Sequence, residues 1–111
     1  MFRAALALRD LAIIANDTVT AAKHNATAAR IKEAFFAELW MSRGHPAAFK
    51  EESGHQRQRP DAWLYSIFVP IEAGLLDHEH AAQALYYSEH SLQRDAFPCP
   101  DGNGTCGVRV W

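Results

Sequence analysis

The chain has no block of like charges, and no apolar run reaches the roughly 20 residues that cross a bilayer. Eleven Lys and Arg against 13 Asp and Glu leave a formal charge of −2 over 111 residues. That balance offers no electrostatic footprint for nucleic acid and no polybasic patch for a membrane surface. The apolar N-terminal stretch is broken by Arg9 and Asp10, and no small-residue cleavage site follows it, so no signal peptide is expected. Metal and cofactor motifs are also missing. His78 and His80 stand two apart, which places them on different sides of a helix, and the spacing of the zinc proteases does not occur. The glycine-rich 101–107 segment lacks the lysine of a phosphate loop, and there is no G-x-S-x-G nucleophile elbow. No cofactor and no metal are expected.

Asparagine and cysteine are scarce, and their placement is informative. The asparagines are Asn16, Asn25 and Asn103, and each heads an N-x-[ST] triplet, the acceptor pattern for glycans in secreted chains. The competing explanation is that Asn16 and Asn25 sit at helix ends beside helix-starting threonines. Cys99 and Cys106 flank a short Pro- and Gly-rich loop in which a disulfide could close. Reduced thiols remain the alternative, and a zinc site would need two further ligands. The triplets and the cysteine pair together favour a secreted protein.

An apolar content of 49% and this length fit one small helical segment, residues 1–111. Its ends look cut, so a larger catalytic domain is expected around it. The most apolar stretch is residues 59–76. A polar run, His55-Gln56-Arg57-Gln58-Arg59, leads into Pro60 and Asp61, which suit the first turn of a helix. Only Ser66 and Glu72 then interrupt the apolar residues before Gly74. A helix apolar all round is predicted to be buried on every side, with a polar mouth at its N-terminal end and a kink at Pro70.

Around it, three- and four-residue spacing of Ala4, Leu8, Leu11, Ala12, Ala15, Val19 and Ala22 predicts a helix over 2–23, weakened at Asn16-Asp17-Thr18. A turn at His24-Asn25-Ala26 and a Thr27 cap predict a second helix over 27–40. Residues 42–58 have no clean period and read as a long loop, with Phe49 as a possible anchor. Asp77 predicts the N-cap of a fourth helix reaching about Arg94, with Ala82, Leu85, Glu89 and Leu92 in one row, extended by Ala81, Ala84 and Tyr86, and with His80, Gln83, Tyr87, Ser91 and Arg94 toward water. A turn-rich 95–107 loop and a short strand over 108–111 follow. The fold class is therefore all-α: two antiparallel helical hairpins joined by an irregular crossover, with a short C-terminal strand.

The phrases AARIKEAFFAELW (28–40) and RPDAWLYSIFVPIEAGLLDHEHAAQALYYSEHSLQRD (59–95), separated by a polar loop, resemble the six-hairpin glycosidases. The likeness covers about residues 27–111 and rests on helix texture. It implies that the chain is part of an (α/α)6 toroid, about two of its six hairpins. The implied function is hydrolysis of a glycosidic bond by acid/base catalysis, in a segment inactive alone. Such chemistry needs two carboxyl groups flanking the scissile bond. Asp61, at the mouth, is the candidate, either catalytic, in contact with the sugar, or only stabilising the helix start. His55, Gln56, Arg59, Trp63 and Trp111 are candidate sugar contacts. Partners would be the carbohydrate and the remainder of the domain, or a homo-oligomer covering the apolar faces. The alternative is a small helical interaction module without catalysis.

Overall fold

A computed structural model describes residues 1–59 and 64–92, together with paired strand backbone at 97–98 and 105–106; side chains are described through residue 90. The chain is mostly helical. Its elements are α1 (Phe2–Ile14), α2 (Thr18–Glu38), β1 (Trp40–Met41), β2 (His45–Pro46), α3 (Leu64–Glu72), α4 (His78–Tyr87) running into a π-helical turn (Ser88–Leu92), β3 (Phe97–Pro98) and β4 (Thr105–Cys106).

The first helix ends earlier than its apolar spacing predicts. Asn16 adopts φ 57, its N–H donates to the Ile13 carbonyl, and the Asp17 N–H donates to that of Ala12. This is the Schellman pattern, with Asn in the left-handed position. Asp17 then serves the next helix as well. Its carboxylate accepts from the Thr20 N–H at 3.0 Å and from the Thr20 hydroxyl at 2.6 Å, making it the N-cap of α2. The expected weak point at Asn16-Asp17-Thr18 is thus a full break, and the expected turn at His24-Asn25-Ala26 is continuous helix. Thr27 caps nothing; its hydroxyl donates back to the Lys23 carbonyl one turn earlier.

The three-residue turn folds α1 back on α2, and the two pack along their length. The buried positions at this seam are small: Ala5 and Ala12 on α1, Ala28 on α2. Larger apolar residues, Leu8, Leu11, Ile13, Ile14 and Val19, lie outward and exposed.

The main core forms where the end of α2 meets α3 and α4. Ile67, Leu76 and Ala84 are buried there, against Phe35, Phe36, Trp40, Ile71, Ala81 and Tyr87. The expected 42–58 loop contains structure. β1 and β2 pair antiparallel, Trp40 opposite Pro46 and Met41 opposite His45.

α3 departs from its predicted role. Ile67 and Pro70 are buried, but Tyr65 is 65% exposed, Phe68 46% and Val69 56%. Among the described residues, α4, β2 and the π turn pack against α3, and they cover one face. The helix runs through Pro70 to Glu72, which is exposed. Gly74, at φ 72, then closes it with Gly74 N–H to Ile71 and Leu75 N–H to Pro70.

Asp77 caps α4 as predicted, accepting from the His80 N–H at 2.9 Å. The helix is rotated from its expected setting: Ala82, Leu85, Tyr86 and Glu89 are outward, His80 and Tyr87 turn inward, and Ala81 and Ala84 lie inward as expected. Ala84 is buried in the cluster that Phe36 and Trp40 pack against, and Leu85 is 40% exposed. Within the expected 95–107 loop, Phe97 pairs with Cys106 and Pro98 with Thr105. The predicted 108–111 strand lies outside the described residues. The radius of gyration is 17.8 Å, with extents of 61 × 35 × 23 Å. A closed globule of this length has a radius near 13 Å, so the chain is open and elongated.

Candidate functional site

The polar run before α3 belongs to a hairpin. Glu51 N–H donates to the Arg57 carbonyl, Arg59 N–H to that of Phe49, and Ala48 N–H to that of Arg59, with a bridge at Lys50 and Gln58. This register sets Phe49 opposite Arg59 and Glu51 opposite Arg57. Alternation along a strand brings these four side chains to one face. They line, with Gln58, a cleft of about 300 Å³. Glu51 and Arg57 approach to 3.9 Å across it. No carboxylate among the described residues pairs with Arg59.

The neighbouring positions anchor the hairpin. Lys50 forms an ion pair with Glu38, and the Gln58 amide donates to the Glu38 carbonyl at 2.6 Å. That carbonyl is one of those a helix end leaves without an internal partner, so α2 holds the hairpin by its last turn. Phe49, expected as an anchor, is half exposed and forms a wall of the cleft instead.

Of the sequence-predicted residues, Arg59 enters the cleft. His55 and Gln56 are exposed at the hairpin tip, with Gln56 at φ 49, and they do not line it. Asp61, Trp63 and Trp111 lie outside the described residues, as do Asn103 and Cys99, and with Cys99 the proposed disulfide. Asn16 is exposed in the α1–α2 turn. Asn25 is exposed within α2 rather than at a helix end, and its side-chain oxygen accepts from Arg9 at 3.4 Å.

A second constellation was not anticipated. His80 was expected to face water, yet it is half-buried between Phe36 and Trp40, with ring centroids 4.7 and 4.9 Å away. Its Nδ1–H donates to both Asp77 carboxylate oxygens at 2.8 Å. The bonds from the His80 backbone N–H and ring hold the Asp77 carboxyl below its ordinary value. Beside it, buried His45 stacks on Tyr87 at 3.6 Å, and its Nδ1–H donates to the Pro46 carbonyl at 3.0 Å. The Asp77–His80 pair holds the imidazole by its Nδ1 side. Asp-x-x-His at a helix start was the available sequence signal. For the cleft it was the alternation of Phe49 with Glu51 and of Arg57 with Arg59 around Gly54.

Comparison with models of known families, with curated proteins and with solved structures finds no match. The chemistry must therefore be read from the geometry. The hairpin cleft combines a guanidinium pair, a carboxylate and an aromatic ring on one face. Ring and hydrogen-bonding groups of this kind suit a ligand with an apolar face and a hydroxyl rim. Glu51 is the one carboxylate in the cleft among the described residues, so a second carboxyl for acid/base work would have to come from elsewhere.

Proposed function

We propose that this chain is a segment of a carbohydrate-active enzyme, a ring of helical hairpins that hydrolyses glycosidic bonds by acid/base catalysis. The observation that carries the reading is α3, which is apolar on both faces and covered on one, with Tyr65, Phe68 and Val69 in solvent. An inner helix of a toroid has this character when its other neighbours are absent. The open, elongated form supports the same reading, as does the sugar-compatible cleft just before α3. Asp61, which falls in the sequence between Arg59 and the start of α3, is the carboxylate this reading assigns to the sugar. The test is turnover of a broad aryl-glycoside panel by the longest chain containing this segment, with and without Asp61→Asn. If Asp61 is the acid or base, the substitution lowers kcat by about 10²–10⁴; if it contacts sugar, KM rises instead. Absence of turnover across the panel overturns the proposal.

The second reading is a helical interaction module. What favours it is the stripe Leu8, Leu11 and Ile14 on α1, exposed with Val19 on α2, since apolar patches of this kind mark contact surfaces. Size-exclusion chromatography with light scattering separates the two. A partner-binding module of this type self-associates or co-elutes with its partner through that stripe, and a strictly monomeric chain argues against it.

A further inference from the structure

A second hollow, sharing no lining residue with the hairpin cleft, lies between the β1–β2 turn and the outer side of α4. Its volume is about 480 Å³, and Ser42, Arg43, Gly44, Ala82, Gln83 and Tyr86 line it. Gly44 makes this geometry possible. It sits at φ 81, and its N–H closes the turn onto the Met41 carbonyl at 3.0 Å. A Cβ built there would lie 3.2 Å from the Gln83 Cβ. The turn backbone therefore presses against α4, and one wall of the hollow is fixed to the other.

Tyr86 supplies the aromatic surface. One side of its ring is covered by His90, parallel within 17° at a centroid distance of 3.9 Å. The His90 Nδ1–H donates to the Tyr86 carbonyl at 3.0 Å, which holds the imidazole in place. Tyr86 is nevertheless 65% exposed, so the remaining ring surface is open. The stacked pair is an aromatic platform left in solvent. Around it stand an amide, a guanidinium and a hydroxyl, from Gln83, Arg43 and Ser42. A pyranose ring presents the matching features, a C–H face and a rim of hydroxyls that both donate and accept. The volume lies within the usual range for small-ligand sites.

We propose that this hollow is a pyranose-binding subsite, with Tyr86 under the sugar ring and Gln83, Arg43 and Ser42 on its hydroxyls. It is a binding site separate from the hairpin cleft and does not depend on hydrolysis. The experiment is saturation-transfer NMR with isothermal titration on the full chain, using maltohexaose, cellohexaose, mannohexaose and xylohexaose as probes. The variants are Tyr86→Ala, Tyr86→Phe, Gln83→Ala and, in the other cleft, Phe49→Ala. The expected result is transfer to at least one probe and about tenfold weaker binding in Tyr86→Ala, from loss of the aromatic contact. Tyr86→Phe and Phe49→Ala should keep the affinity within about twofold, since both leave the platform ring in place. Far-UV circular dichroism confirms that each variant is folded; Tyr86 is exposed, so no loss of fold is expected. No transfer from the wild-type chain to any probe overturns the proposal, as does equal binding by folded Tyr86→Ala. Binding without turnover by the longer chain would support the subsite while defeating the hydrolase reading; turnover without binding at Tyr86 would do the reverse.

Discussion

Gly44 and Gly74 allow the contact between the β1–β2 turn and α4 to be weighed by itself. Both adopt left-handed backbone, φ 81 and 72. A Cβ at Gly74 meets nothing within 4 Å, whereas one at Gly44 lies 3.2 Å from Gln83 Cβ and 3.3 Å from its side-chain oxygen. Left-handed backbone costs an L-residue about 1–2 kcal/mol. Removing glycine from the unfolded chain returns about 0.4–1 kcal/mol. Gly74→Ala should therefore destabilise by about 1 kcal/mol. Gly44→Ala bears the same backbone cost and must also displace α4 or the turn, which adds about 1–3 kcal/mol on the scale of overpacked sites. Urea unfolding followed at 222 nm measures both. At constant m, Gly74→Ala should lower the midpoint by about 0.5 M, and Gly44→Ala by at least twice that. Equal midpoints would refute the reasoning, because they would mean that the turn does not bear on α4. The second hollow would then have no fixed wall.

Other consequences can be measured on the same chain. Ile67 is fully buried at the centre of the core, so Ile67→Ala should cost about 2–5 kcal/mol in the same unfolding assay. Val69→Lys, on the open side of α3, should move stability by less than about 0.5 kcal/mol; a large loss would mean that this side is covered after all. The Thr20 hydroxyl, then the Thr20 N–H, lowers the Asp17 carboxyl below its ordinary 3.8. The cap therefore stabilises the fold fully above that value and is lost as pH falls through the lower folded value. The protection of the Thr20 amide, relative to its intrinsic exchange rate at each pH, should fall on acidification into that range and should be low at all pH values in Asp17→Ala. The His80 bonds lower Asp77 in the same way, so the start of α4 should loosen over the same acidic window. Unchanged protection at either helix start down to pH 2 would contradict the capping geometry.

Much of the helix order was legible from spacing, but the helix boundaries depended on single caps. Asn16 and Asp17 read as a weak point within one long helix because the apolar steps continue past them. The structure breaks there because Asn tolerates left-handed backbone and Asp17 has Thr20 three residues on. The cap at Asp77 and the stop at Gly74 were legible because their local chemistry agrees with the surrounding pattern. The facing of α3 was not. Apolar composition states what a helix tolerates, while coverage depends on how many neighbours reach it, and here α4, β2 and the π turn reach one side. The setting of α4 was misjudged in part: Ala84 is buried as expected, while Leu85 and Tyr86 lie outward and His80 turns in against Phe36 and Trp40. At the candidate site, Arg59 was identified from its polar surroundings. The cleft residues Phe49, Glu51 and Arg57 lie in or beside a segment without helical period, where only strand pairing sets Phe49 opposite Arg59 and Glu51 opposite Arg57.

Asp17 belongs to two rods at once: its amide seals the first and its carboxylate starts the second. Adding one residue at this joint could not keep both bonds, and it would swing the second rod through about 100° about its own axis. The azimuths of Leu11 and Val19 are thereby geared to each other, so anything that seats against one of them meets the other at a set angle.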